Sequence, residues 1–214
     1  SLRDNIAAAA ERGLTVVRLT EHVRSTTTWV PEFVAAVAAE PVPDGLTVLT
    51  GVEAKILDLS GALDLPADIE GIDAIVMADH QFPGPAGPWT PDYTRARIAA
   101  GLAPVDALEL LISALVAAMT RAPGNQLAHC FSILPKIGLS ERDLSDDQLE
   151  RWAMAAAASD TLIEINEKWD CPSPRALAVA RAAGARLGAS TDAHNASDVG
   201  RYSRVVALLE EVRS

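Results

Sequence analysis

Ile72-Asp73-Ala74-Ile75-Val76-Met77-Ala78-Asp79-His80 is the stretch on which the fold turns. Residues 72–77 form an apolar, β-branched run too short for a buried helix, which reads as a strand. The run leads into Asp79 and His80, two side chains that can hold a proton or a metal ion.

The same figure recurs on both sides. The apolar run 15–19 leads to Thr20, Glu21 and His22, and residues 46–56 contain Gly51, Val52 and Glu53. Residues 126–128 deliver His129 and Cys130, residues 161–165 carry Glu164 and lead to Asn166, and residues 185–189 run into Ser190, Thr191, Asp192, Ala193 and His194. Between these runs lie Ala- and Leu-rich stretches of helical period, at 5–12 (closed by Gly13), 31–39, two over 93–121, then 146–158, 174–183 and 205–212. Residues 82–91 read as a Gly/Pro-rich loop. Strands alternating with helices predict an α/β fold with parallel strands. With no repeat, low-complexity segment or dividing linker, the expectation is a single domain over residues 1–214.

Composition narrows the function. The 49% hydrophobic content is spread along the chain without an apolar run long enough to span a membrane. Cys130 and Cys171 are far apart and lack CxxC spacing, which predicts a reducing, cytoplasmic setting and no disulfide framework. A formal charge of -11 repels a phosphate backbone and disfavours nucleic acid as a partner. Small anionic substrates stay open where metal ions supply positive charge.

The 4 histidines, His22, His80, His129 and His194, each follow an apolar strand, and none is left over. One histidine after a strand is more often a satisfied polar group than a ligand. Four in the same position need a common explanation, because parallel barrels gather their C-terminal strand ends on one rim. With Glu53 and Asp192 at equivalent places they form a nitrogen and oxygen set suited to zinc, manganese or iron.

In their order, Leu19-Thr20-Glu21-His22, Gly51-Val52-Glu53, Ala78-Asp79-His80, Leu127-Ala128-His129 and Ser190-Thr191-Asp192-Ala193-His194 resemble the PHP (polymerase and histidinol phosphatase) family over nearly the whole chain. The resemblance implies a distorted TIM-like (β/α)7 barrel and a site of up to about three divalent ions. It implies that Glu53 bridges two metals, that His80 and His129 complete one of them, that Asp192 serves a second, and that His22 and His194 serve a third. It places Asn166 near the rim as a support or substrate contact.

The chain departs from the family pattern in three places. The family's opening His-x-His motif is absent, and the chain begins with Ser1 in the helix that should follow that strand, so the motif and first strand are expected upstream. Glu21 stands where many members have Asp, a form reminiscent of the histidinol phosphatase branch, and Cys130 where many have Pro; Cys130 reads better as a small buried hydrophobe than as a ligand.

The implied activity is hydrolysis of a small phosphorylated molecule, by a phosphatase or phosphodiesterase that is histidinol-phosphatase-like in pattern, using metal-activated water. Glu53, Asp192 and His194 are its catalytic candidates, with His194 or a metal-bound water placed to protonate the leaving group. Arg24, Lys55, Lys168 and Arg201 lie near rim positions and are candidates for the phosphate, although each alone also reads as solvated surface charge. Trp89 and Trp169 are candidate substrate walls, and Trp152 reads as packing. A non-catalytic PHP-like binding or scaffolding module with an incomplete metal site is the alternative, and a nucleic-acid exonuclease ranks last.

Overall fold

Strand formation follows the apolar runs. The structure, a computed structural model, describes residues 1–213, without the side chains of 209 and 211–213. Six strands, β1 (Val16–His22), β2 (Thr47–Lys55), β3 (Ala74–Ala78), β6 (Gln126–Leu127), β7 (Leu162–Asn166) and β8 (Arg186–Ser190), form one parallel sheet in the order β1-β2-β3-β6-β7-β8. The sheet curls into a half-barrel, the α/β architecture expected. Its helices are α1 (Leu2–Glu11), α2 (Val30–Ala38), α3 (Pro91–Ala99), α4 (Pro104–Arg121), α5 (Asp146–Ala158), α6 (Pro174–Ala182) and α7 (Arg204–Arg213).

Alternation along the strands sorts side chains between two environments. On β2, Val52 and Ala54 are buried with Val30 and Val34 of α2, while Glu53 between them faces the other way, toward the histidines. The largest apolar cluster lies under α4 and α5, where Leu108, Leu111, Ile112, Leu115 and Trp152 pack with Met77, Leu127 and Ile163 of the sheet. Burial of this kind contributes about 25 cal/mol per Å² of apolar surface removed from water and fixes the strands as a platform. Trp152 is packing, as the sequence suggests. Gly61 admits no side chain, because a Cβ there would stand 2.3 Å from the Ala118 nitrogen of α4.

Helix starts follow local chemistry. Ser1 and Asp4 form a capping box on α1, as Ser145 and Gln148 do on α5. Thr90 and Ser173 cap α3 and α6, each followed by proline at the first helical position.

One expectation is revised. Residues 82–91 are not a plain loop: β4 (Phe82–Gly84) and β5 (Gly87–Trp89) form an antiparallel hairpin with Phe82 opposite Trp89 and Pro83 opposite Pro88. The Phe82 and Trp89 rings stack with centroids 5.6 Å apart. The prolines and glycines between these rings lower β-propensity and read as a loop. β1 ends at Thr20, Glu21 and His22 as expected, and these residues pair in register with Gly51, Val52 and Glu53. Among the described residues no helix is long and apolar enough to cross a membrane.

Candidate metal centre

Three histidines from different strands converge on Glu53. The His80 Nε2 lies 2.8 Å and the His129 Nε2 3.1 Å from the same oxygen, Glu53 Oε1, and His22 Nδ1 lies 3.7 Å from Oε2. His22 ends β1 in register with Glu53, while His80 and His129 each stand two residues beyond β3 and β6. One ligand atom from each of His22, Glu53 and His80 falls within 4.8 Å of the others.

The His129 turn is held from below by residues that the sequence reading did not assign to the site. His129 and Phe131 adopt φ values of 26° and 74°, rare for residues with side chains and costing about 1–3 kcal/mol each. Asp79, 0% exposed, pins the turn by accepting from the Phe131 backbone N–H at 3.1 Å and from Ser132 Oγ at 3.3 Å. It also lies 3.5 Å from His129 Nδ1. Behind the turn, buried Glu164 accepts from the His129 backbone N–H at 3.3 Å and from Asn166 Nδ2 at 2.5 Å. Gln126 donates to Glu164 and in turn accepts from Arg18. Asp79 and Glu164 were visible as strand-end acids; nothing in the sequence pairs Arg18 with Gln126.

Electrostatics follow from this packing. Burial alone would raise the Glu53 carboxyl, but the hydrogen bonds and positive charge of His129 and His80 hold it well below the usual carboxylate range. Burial opposes charge on His129, yet Asp79 and Glu53 on its two sides raise it to about 10. Burial pushes the Glu164 carboxyl up.

The second set lies after β8. Trp169 Nε1 donates to Asp192 Oδ2 at 2.7 Å, and Lys168 Nζ lies 3.7 Å from that same oxygen. His194 Nδ1 lies 2.9 Å from both Lys168 Nζ and the Asp192 carbonyl oxygen, so its tautomer decides which bond forms. Asp192 also has a positive φ, 46°. The Trp169 and His129 ring centroids are 6.2 Å apart, which joins the two sets. One cavity of about 440 Å³ is lined by His22, Glu53, His129, Glu164, Asp192 and His194.

Other candidates fall as follows. Lys168 lies at the second set, and Arg201 is exposed in a shallow groove shared with Lys168, Asp192 and His194. Asn166 is buried and accepts from the Trp169 backbone N–H at 2.8 Å. Lys55 donates to Gln81 at 3.0 Å, beside His80, and Arg24 is exposed, its backbone N–H bonded to Thr27. Neither Lys55 nor Arg24 lines the cavity. Trp89 belongs to the hairpin, against Phe82, Tyr93 and Arg97. Cys130 is buried, and burial pushes its thiol well up, away from the thiolate a metal needs.

The residues around Glu53 fit a divalent cation. Imidazole nitrogens and a carboxylate converge at ligand spacing, and His129 presents Nε2 inward while Nδ1 meets Ser132 Oγ at 3.1 Å and the Asp79 carboxylate. A carboxylate behind a histidine is the usual support of a metal ligand.

Scanned against models of known protein families, the chain matches none, and no curated protein matches it. Among solved structures it is similar to a histidinol phosphate phosphatase from Lactococcus lactis, complexed with zinc, L-histidinol and phosphate. The TM-score is 0.56 at 13% identity, over 98% of this chain and 86% of that one. At that identity the likeness is one of fold.

Proposed function

We propose that this protein is a metal-dependent hydrolase of phosphoesters, acting on a small phosphorylated molecule in the manner of a PHP-type phosphatase or phosphodiesterase. The observation that carries the reading is the convergence of His22, His80 and His129 on the single carboxylate of Glu53, at the rim of a half-barrel similar in fold to a zinc-containing phosphatase. A net charge of -11 argues against nucleic acid as the substrate.

His22, Glu53, His80 and His129 would hold one part of a centre of up to about three ions, and Asp192 and His194 the other, with zinc, manganese or iron suited to these donors. Such ions supply positive charge for the phosphoryl oxygens and acidify water to near neutrality. The remaining work belongs to the chain. Asp79 and Ser132 fix the His129 ring, and the depressed Glu53 carboxyl stays ionised. Trp169 orients Asp192 through its indole N–H. Lys168, whose ammonium lies 2.9 Å from His194 Nδ1, is placed to meet a phosphoryl oxygen.

The test is metal content by mass spectrometry together with phosphatase assays on the metal-loaded protein. Two or more equivalents of metal and hydrolysis of a phosphoester, both lost in His80→Ala and His129→Ala, are expected. Failure to bind zinc, manganese or iron would sink the reading and leave a binding module.

A further inference from the structure

The cationic side chains of this acidic protein are used in two ways. Arginines staple the scaffold, as in the ion pairs Arg3–Glu40, Arg151–Glu109, Arg175–Asp146 and Arg186–Asp160. The chain has three lysines, Lys55, Lys136 and Lys168, and two of them flank one indole at the rim. Lys136 Nζ stands 4.3 Å and Lys168 Nζ 5.6 Å from the Trp169 ring centroid.

Lys136 lies outside the two ligand sets. It sits in the turn Pro135–Ile137 that follows the His129 segment, and Arg95 donates to its backbone carbonyl at 2.6 Å. Its side chain is half-buried, and among the described residues its ammonium makes no ion pair or hydrogen bond. The indole beneath it is fixed at both ends, by the Trp169 backbone N–H to Asn166 Oδ1 at 2.8 Å and by Nε1 to Asp192 Oδ2 at 2.7 Å. An ammonium is thus held one indole away from His129 and, among the described residues, pairs with no carboxylate.

A cation–π contact is worth only about 0.5–1 kcal/mol at an exposed site and leaves the ammonium's donors free. Such a cation, one indole from His129, attracts an anion that the protein does not supply. The phosphoryl group of a substrate is taken up by the centre itself, so the anion reaching Lys136 belongs to the rest of the molecule.

We propose that Lys136, seated on Trp169 beside Lys168, is an anion-binding subsite that selects phosphoesters carrying a second oxyanion, a carboxylate or another phosphate, a few bonds from the phosphoryl group. The subsite rests on the hydrolase reading of the same rim, and it sets that reading apart from a preference for histidinol phosphate, whose alkylammonium would face another ammonium.

The experiment compares 3-phosphoglycerate and glycerol 1,3-bisphosphate with glycerol 3-phosphate, molecules of one carbon skeleton, on the metal-loaded protein. The KM for one or both esters bearing a second oxyanion should be lower by about ten-fold, the size of one charge-assisted hydrogen bond; which of them gains identifies the oxyanion. Lys136→Met keeps the stem on the indole and should abolish the preference, and Lys136→Arg should restore most of it. The ratio between substrates is the readout, so a general loss of activity cancels. Equal KM values in the unaltered protein, or a preference that survives Lys136→Met, would overturn the subsite. If no ester is hydrolysed, the hydrolase reading fails, and calorimetric binding of the same molecules to the same variants decides the subsite separately.

Discussion

Around Glu53 the ligand candidates hold one another, whereas around Asp192 they are held by an indole and a lysine. The side chains of His129 and Glu53 are 5% and 15% exposed, and that of His194 is 61% exposed. The difference is one of preorganisation: burial and, for His129, a supporting carboxylate have already removed the rotamer freedom of His129 and Glu53, while ordering exposed side chains such as His194, or His22 at the margin of the first set, still costs entropy when a ligand arrives. On the proposed reading, His129 and Glu53 of the inner set would retain an ion and the outer set would adjust to one.

Removing the hub is the harshest way to break this contrast. Glu53→Ala leaves three imidazoles without their common partner, and we expect loss of the bound metal with a fall in phosphatase kcat/KM of about 10³-fold or more, because both the ion and its charge stabilisation go together. Metal content near that of the unaltered protein would show that the Asp192 set retains ions by itself, and would erase the distinction.

A finer probe leaves every proposed ligand in place. Asp79→Asn keeps the shape but removes the negative charge behind His129, with an expected loss of about 10–100-fold in metal affinity by competition titration, the usual effect of altering a ligand's support. An unchanged affinity would mean that the strained turn holds His129 by its backbone alone. The smallest effect is expected on the outer set, where Trp169→Phe keeps a ring but deletes the bond to Asp192. That bond is worth about 1 kcal/mol, so turnover should drop about five-fold with metal content unaltered. A loss of metal in this variant would place Trp169 among the supports of the inner set.

Much of the site was legible because its residues obey a positional rule. All six sheet strands were visible as apolar runs, and Glu53, His80, His129, Asp192 and His194 lie in them or within four residues beyond their ends. What escaped notice depends on contacts with no local signature. Lys136 is a lone cation in a turn until Trp169 is brought beneath it, and Arg18 shows an ordinary strand residue until it reaches Gln126. Gly51 makes room for that reach, since a Cβ there would stand 2.8 Å from the Arg18 Cδ. The hairpin at 82–89 was obscured by its prolines and glycines, which mimic a loop while two aromatic rings stack across the pairing.

The sheet's strand order, in which every neighbour in space is the next sheet strand along the chain, also carries a temporal meaning. As a ribosome delivers the polypeptide, each new strand finds its docking edge already in place, so loop closure stays short and assembly can proceed from the amino end. His22, Glu53, His80 and His129 have all emerged once β6 is made, while Asp192 and His194 arrive only with the last strand. An ion captured early by the inner set would therefore tie together β1, β2, β3 and β6 of a nascent chain before the Asp192 set exists.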